Sequence, residues 1–115
     1  MPQEVEARAT SATEIQVTWK APRRETWNGN LMGYYIGFQE HVEGYQHNPS
    51  PTATANYNFK TVEIGSQFDG EVTLTRLSKF TTYSIIVQAF NSRGAGPASE
   101  PLVVRTKEDG KFLIN

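Results

Sequence analysis

The sequence predicts an all-β domain in which two antiparallel sheets pack face to face. Seven short segments alternate apolar with polar residues, which is the period of a strand with one buried face. The segments recur about every ten residues, and a tryptophan lies on the second of them, a pattern typical of β-sandwiches. No segment carries the 3.6-residue period of an amphipathic helix.

Residues that turn or interrupt a β-strand separate these segments. Pro22 ends the second strand, because proline cannot donate a hydrogen bond to a sheet. Asn28-Gly29 predicts a turn, and residues 41–56 form a long polar loop. The glycines and proline at 94–97 predict a turn after the sixth strand. The fourth strand has apolar residues on both faces, which leaves its register open. The predicted strands cover residues 4–9, 15–20, 34–39, 57–64, 72–75, 83–90 and 102–105.

A core between the two sheets follows from the alternation. Each large apolar side chain buried there contributes about 1.5–3 kcal/mol before the entropy cost of folding. We expect Tyr83 to bury its ring at a corner of the sandwich and to place its hydroxyl on the backbone of the preceding loop. The residues expected to face one another between the sheets are Trp19, Tyr34, Ile36, Leu74, Leu77, Ile85 and Val87.

Composition narrows the possible functions. A chain of 115 residues forms one domain, and its net charge of -1 does not favour nucleic acid as a partner. The sequence contains no cysteine, which excludes disulfides, thiolate metal sites and cysteine nucleophiles. Its two histidines, His41 and His47, lie in a polar loop without carboxylates at a metal-binding spacing. We therefore expect no catalytic residue, no cofactor and no metal site.

Four motifs follow one another along the chain: Ile15-x-Val17-x-Trp19 ending at Pro22, Gly33-Tyr34-x-Ile36-x-Phe38, Leu77-x-x-x-Thr81-x-Tyr83, and Val87-x-Ala89-x-Asn91-x-x-Gly94-x-Gly96. In this order they resemble the fibronectin type III module over residues 2–106. The resemblance implies an immunoglobulin-like sandwich with a three-stranded sheet on a four-stranded one. Residues 107–115 lie outside this scheme: the charged residues 107–110 predict a linker toward a following domain, and we interpret residues 111–115 as part of that tail or as an expression or splice remnant. Lys79 departs from the family, which often has proline there, and the 41–56 loop is longer than usual.

Four phrases are more particular: residues 17–22, Asn28-Gly29, residues 33–40 and Lys79-Phe80-Thr81-x-Tyr83. They are similar to type III repeats of the Down syndrome cell adhesion molecule (Dscam) family. This implies a non-catalytic adhesion or spacer module in the extracellular part of a single-pass neuronal receptor. Its expected partners are adjacent immunoglobulin or type III domains and a homophilic protein partner, with the isolated domain monomeric. The alternatives are a repeat of a receptor tyrosine phosphatase or guidance receptor, or of an intracellular muscle-type scaffold.

Four residues are candidates for protein contact. Trp27 lies in a polar loop, where an indole either anchors an interface or packs back on its own loop. Arg23 and Arg24 follow the second strand and either bind an anionic partner or remain solvated beside Glu25. Arg93 precedes Gly94, but Ala95 stands where an integrin-binding motif has aspartate, so that activity is not expected.

Overall fold

The computed structural model describes residues 2–22, 31–41, 57–64 and 70–108, and the statements below concern these residues. They form strands and connecting turns, and none of them belongs to a helix able to cross a membrane. The eight strands are β1 (Gln3–Ala9), β2 (Ile15–Lys20), β3 (Gly33–Glu40), β4 (Asn58–Glu63), β5 (Glu71–Leu74), β6 (Thr82–Asn91), β7 (Gly94–Ala98) and β8 (Leu102–Arg105).

The strands form two antiparallel sheets, as the sequence predicts. One sheet has three strands in the order β1-β2-β5. The other has five, with the order β4-β3-β6-β7 and β8 also paired to β6. The all-β sandwich is therefore confirmed. The count of seven strands, with four in the larger sheet, is wrong by one.

The additional strand is β7, which lies where the glycines and proline predicted a turn. β7 and β8 run along the same edge of β6, with β7 beside its final residues and β8 beside Thr82–Ile85. The chain leaves the ladder between them, where Ser99 exchanges two hydrogen bonds with the backbone of Val87 (2.8 and 2.9 Å). Glycine and proline are tolerated here because an edge strand need not pair on both sides.

The core lies between the sheets and is built around Trp19. Its indole packs against the Tyr34 ring at 5.1 Å between ring centroids. The indole Nε1 is buried and finds no hydrogen-bond acceptor among the described residues. The buried apolar cluster consists of Ile15, Val17, Trp19, Tyr34, Ile36, Val62, Val72, Leu74, Leu77, Tyr83, Ile85 and Val87.

A hydrogen-bonded corner closes the sandwich at the end where β8 finishes. The backbone N–H of Ser78 donates to the Tyr83 hydroxyl (2.8 Å). The buried Thr106 hydroxyl accepts from the N–H of Thr81 (2.8 Å) and donates to the carbonyl of Ser78 (2.7 Å). These bonds satisfy backbone groups of the turn before β6, so that turn is held rigidly against the end of β8.

The chain enters and leaves the sandwich at opposite ends. Gln3 pairs with Lys20 at the final residue of β2. Lys107, beyond β8, donates its N–H to the carbonyl of Ser11 in the β1–β2 turn, at the other end of those strands (3.2 Å). This arrangement suits modules strung end to end.

Candidate protein-interaction surfaces

The outward face of the five-stranded sheet carries aromatic side chains. Strand alternation in β3 sends Tyr34 and Ile36 into the core and therefore turns Tyr35 outward. The ladder places Phe90 of β6 and Phe59 of β4 on the same side of the sheet. We call Tyr35, Tyr57, Phe59 and Phe90 the aromatic face.

The four rings contact one another across three strands. Tyr35 stacks on Phe90 with 4.4 Å between centroids and 19° between planes. Phe59 meets Tyr35 edge-on at 6.2 Å and 71°. Tyr57 lies 6.5 Å from Phe59, and its hydroxyl is 2.7 Å from that of the buried Ser84. Such pairs contribute roughly 0.5–1.5 kcal/mol each beyond the area they bury.

Two glycines of β3 leave space for these rings to pack on the backbone. A Cβ on Gly33 would meet the carbonyl oxygen of Val62 and lie 2.8 Å from the Phe90 ring. A Cβ on Gly37 would lie 2.8 Å from the Phe59 ring and 2.9 Å from Ile86. The rings therefore pack directly on the backbone at these two glycines. Aromatic side chains that cover glycine in this way offset its destabilising effect on a strand.

This face has few charges. At the outward positions of β3, β4, β6 and β8, the charged residues are Glu63 and Arg105. Both point outward, but they lie on strands at opposite edges of the sheet and at opposite ends of it. Glu63 of β4 pairs with Gly33 at the start of β3, whereas Arg105 of β8 pairs with Thr82 at the start of β6, which runs antiparallel to β3. Between them Phe59 and Val103 are 46% and 54% exposed. An exposed surface that is rich in aromatic residues and poor in charge has the composition of an interface core.

A second surface lies at the end where the chain leaves the sandwich. Phe80 is 53% exposed and has a φ of 47°, a left-handed conformation that a bulky residue rarely adopts. Its N–H donates to the carbonyl of Lys107 (3.2 Å), and the Arg105 guanidinium lies 5.0 Å from its ring centroid. Together they border a shallow apolar groove, called here the C-terminal groove, which is lined by Ser11, Ala12, Phe80, Arg105, Thr106, Lys107 and Glu108.

The candidate contact residues from the sequence fall in different places. Trp27, Arg23 and Arg24 lie outside the described residues. Arg93 is exposed in the turn between β6 and β7, where its N–H donates to Asn91 Oδ1 (2.8 Å). The residues chosen as core are all buried: Trp19, Tyr34, Ile36, Leu77, Tyr83 and Val87. Within the described residues no three histidine or acidic side chains are placed to hold a metal ion.

Sequence reasoning did not identify the aromatic face or Phe80. One signal was present, because the fourth strand had apolar residues on both faces and Tyr57 flanked the long loop. Tyr35 and Phe90 are 55 residues apart in sequence and meet only through the register of β3 with β6. Phe80 has no periodic signal, since it lies in a turn.

Comparison with known proteins agrees with the architecture. The family model described as "Fibronectin type III domain" matches residues 1–105. The rat protein "Cell adhesion molecule DSCAM" is 41% identical over 94% of this chain, and the human "Cell adhesion molecule DSCAML1" is 39% identical over the same share. The chain spans about 5% of the length of each relative.

A solved structure supports the same conclusion. The crystal structure of the FN5 domain of Drosophila Lar superposes with a TM-score of 0.67 at 30% sequence identity. The match covers 92% of this chain and 94% of that one. Sequence and fold similarity thus extend over nearly the whole domain.

Proposed function

This chain belongs to the fibronectin type III domain family, and from that premise we propose that it is a non-catalytic extracellular module of a single-pass neuronal adhesion receptor of the Dscam type. Its similarity to cell adhesion molecules of which it spans about 5% supports this proposal. The separation of its chain ends supports a spacer role, because the neighbouring segments of the polypeptide then extend from opposite ends of the sandwich.

The observation that carries the proposed contact with a neighbouring module is the C-terminal groove. Phe80 exposes half of its surface in a backbone conformation that costs about 1–3 kcal/mol and persists only where surrounding bonds enforce it. Such conformations concentrate at functional sites. Lys107 and Glu108, which lead out of the domain, line the same groove. We expect the module that follows in the same polypeptide to contact Phe80 and Arg105.

The extracellular location can be tested in cells that express the parent receptor. An epitope inserted between Ser92 and Arg93 lies in an exposed turn, so it should leave the sandwich intact. We expect an antibody to stain intact cells. Staining that requires permeabilised cells would place the module inside the cell and favour the muscle-type scaffold.

The groove can be tested on a purified fragment that holds this module and its C-terminal neighbour. Phe80→Ser should loosen the two modules, which small-angle scattering and residual dipolar couplings would detect as a wider range of orientations. Val103→Thr is the matched control, because Val103 is equally exposed but lies on a sheet face. Equal behaviour of both variants and the parent fragment would exclude the groove as a contact.

A further inference from the structure

We infer that the aromatic face binds a second copy of this module, weakly and face to face. The inference goes beyond the proposed function, because it concerns the isolated domain and holds in any compartment. Its basis is the surface built by Tyr35, Tyr57, Phe59 and Phe90, which is aromatic and nearly free of charge.

Charge indicates the kind of partner. Binding to a strongly acidic or basic protein relies on several complementary charges, and the outward positions of β3, β4, β6 and β8 offer one anion, Glu63, and one cation, Arg105. A second copy presents the same uncharged centre. In a two-fold arrangement the same patch is used on both molecules, so no like charges meet at the middle of the interface. The face is therefore complementary to itself.

Shape favours the same partner. Gly33 and Gly37 lack side chains, and the rings of Phe90 and Phe59 cover their backbone without a Cβ in between. Two such faces can approach as sheets do in a sandwich, at about 10 Å. The exposed side chains of Phe59 and Val103 would then fill the space between the copies.

The size of the face sets the strength of binding. Four strand positions about 4.8 Å apart and eight residues of about 3.4 Å give an area of roughly 400–500 Å² on each copy. Two copies would bury about 800–1,000 Å², which is below the range of stable specific interfaces and in the range of weak, transient contacts. We expect a Kd on the order of 0.1–1 mM. The domain is then monomeric at micromolar concentration, as the sequence predicts, and it associates when many copies are held close together.

The test is a concentration series of the ¹⁵N-labelled module, followed by amide chemical shifts and translational diffusion. Between micromolar and millimolar concentration we expect diffusion to slow. Shift changes should concentrate on β3, β4 and β6. Phe59→Thr should weaken association at least tenfold, whereas Phe80→Ser, which alters an equally exposed aromatic residue at the C-terminal groove, should leave it unchanged. Equal effects of these two variants, or no change up to millimolar concentration, would overturn the inference.

A charge pair provides a test that does not remove any ring. Thr61 is exposed on β4 opposite Tyr35, so lysine or glutamate should be tolerated there. At low salt Thr61→Lys and Thr61→Glu should each associate less than the parent. An equimolar mixture of the two should regain at least the parent's affinity, because at low ionic strength opposite charges on the two facing surfaces attract each other even without direct contact. A mixture no stronger than either variant alone would contradict pairing between copies.

Discussion

The two outer faces of this sandwich differ in chemistry although both cover the same core. On the three-stranded sheet, Gln16 Nε2 donates to Glu71 (2.6 Å) and Arg8 donates to Gln16 Oε1 (3.4 Å). Lys20 pairs with Glu4 at 3.2 Å. On the five-stranded sheet the corresponding surface is the aromatic face. We call the first surface the charged face.

This difference distinguishes the residues that folding requires, which point inward, from those that folding does not determine, which point outward. Strand alternation fixes the residues of each sheet that point inward, because those residues fill the core. It does not determine the outward residues. The charged face pairs its own groups, and a bulge at Glu4 (φ 52°) interrupts the regular edge of β1, which hinders that edge from pairing with other chains. The aromatic face has the opposite character, which is why we assign it to binding.

The largest expected effect comes from the core that both faces share. Trp19→Ala should lower the free energy of unfolding by about 3–5 kcal/mol through lost contact area and the cavity left behind. Urea denaturation measures this change. Trp19→Phe is the control, since it keeps a ring against Tyr34 and removes an N–H that has no acceptor within the described residues, so it should cost less. An unchanged midpoint for Trp19→Ala would show that the sheets do not close over the indole.

The next largest effect tests the packing of the aromatic rings on the glycines of β3. Gly33→Ala should destabilise the domain by about 1–3 kcal/mol, because the new methyl group would collide with the Val62 carbonyl and the Phe90 ring. Gly96→Ala is the matched control, since the nearest atom to its Cβ is 3.7 Å away. Thermal unfolding of the two variants compares them. Equal stability would mean that the rings do not rest on β3.

A smaller effect tests the polar contact beneath the rings. Ser84→Ala removes the partner of the Tyr57 hydroxyl and should cost about 0.5–1.5 kcal/mol. Tyr57→Phe removes the other half of the same hydrogen bond. A double-mutant cycle by urea denaturation isolates their interaction, and we expect the double variant to lose less than the sum of the single losses. Strict additivity would argue against the bond.

The smallest effect belongs to the charged face. Lys20→Met keeps the aliphatic part of the side chain and removes the ion pair with Glu4. The side chains of Lys20 and Glu4 are 69% and 65% exposed. Exposed pairs of this kind contribute about 0–1 kcal/mol, so we expect a loss near the lower limit that disappears at high salt. Denaturation at low and high ionic strength measures it. A loss of stability as large as that expected for Gly33→Ala would contradict the proposed difference between the two faces.

Residue alternation was sufficient to predict the core and most strands. It failed at β7, where Gly94, Gly96 and Pro97 have the composition of a turn but lie along the edge of β6. It also could not assemble the aromatic face, because Tyr35, Phe59 and Phe90 come from three strands whose register no local pattern encodes. Phe80, with its φ of 47°, donates its N–H to the carbonyl of Lys107, a residue distant in sequence. Local physics thus predicts the layers, while the binding surfaces depend on pairing between distant strands.

Intermolecular contacts in a mixed sample provide the most direct test of the aromatic face as a binding surface. In an isotope-filtered NOE experiment, labelled and unlabelled copies are mixed at millimolar concentration. Cross-peaks then arise only between a proton of a labelled copy and a nearby proton of an unlabelled copy. We expect cross-peaks from the rings of Phe59 and Tyr35 and the methyl groups of Val103. Cross-peaks confined to the charged face or to Phe80 would contradict the account.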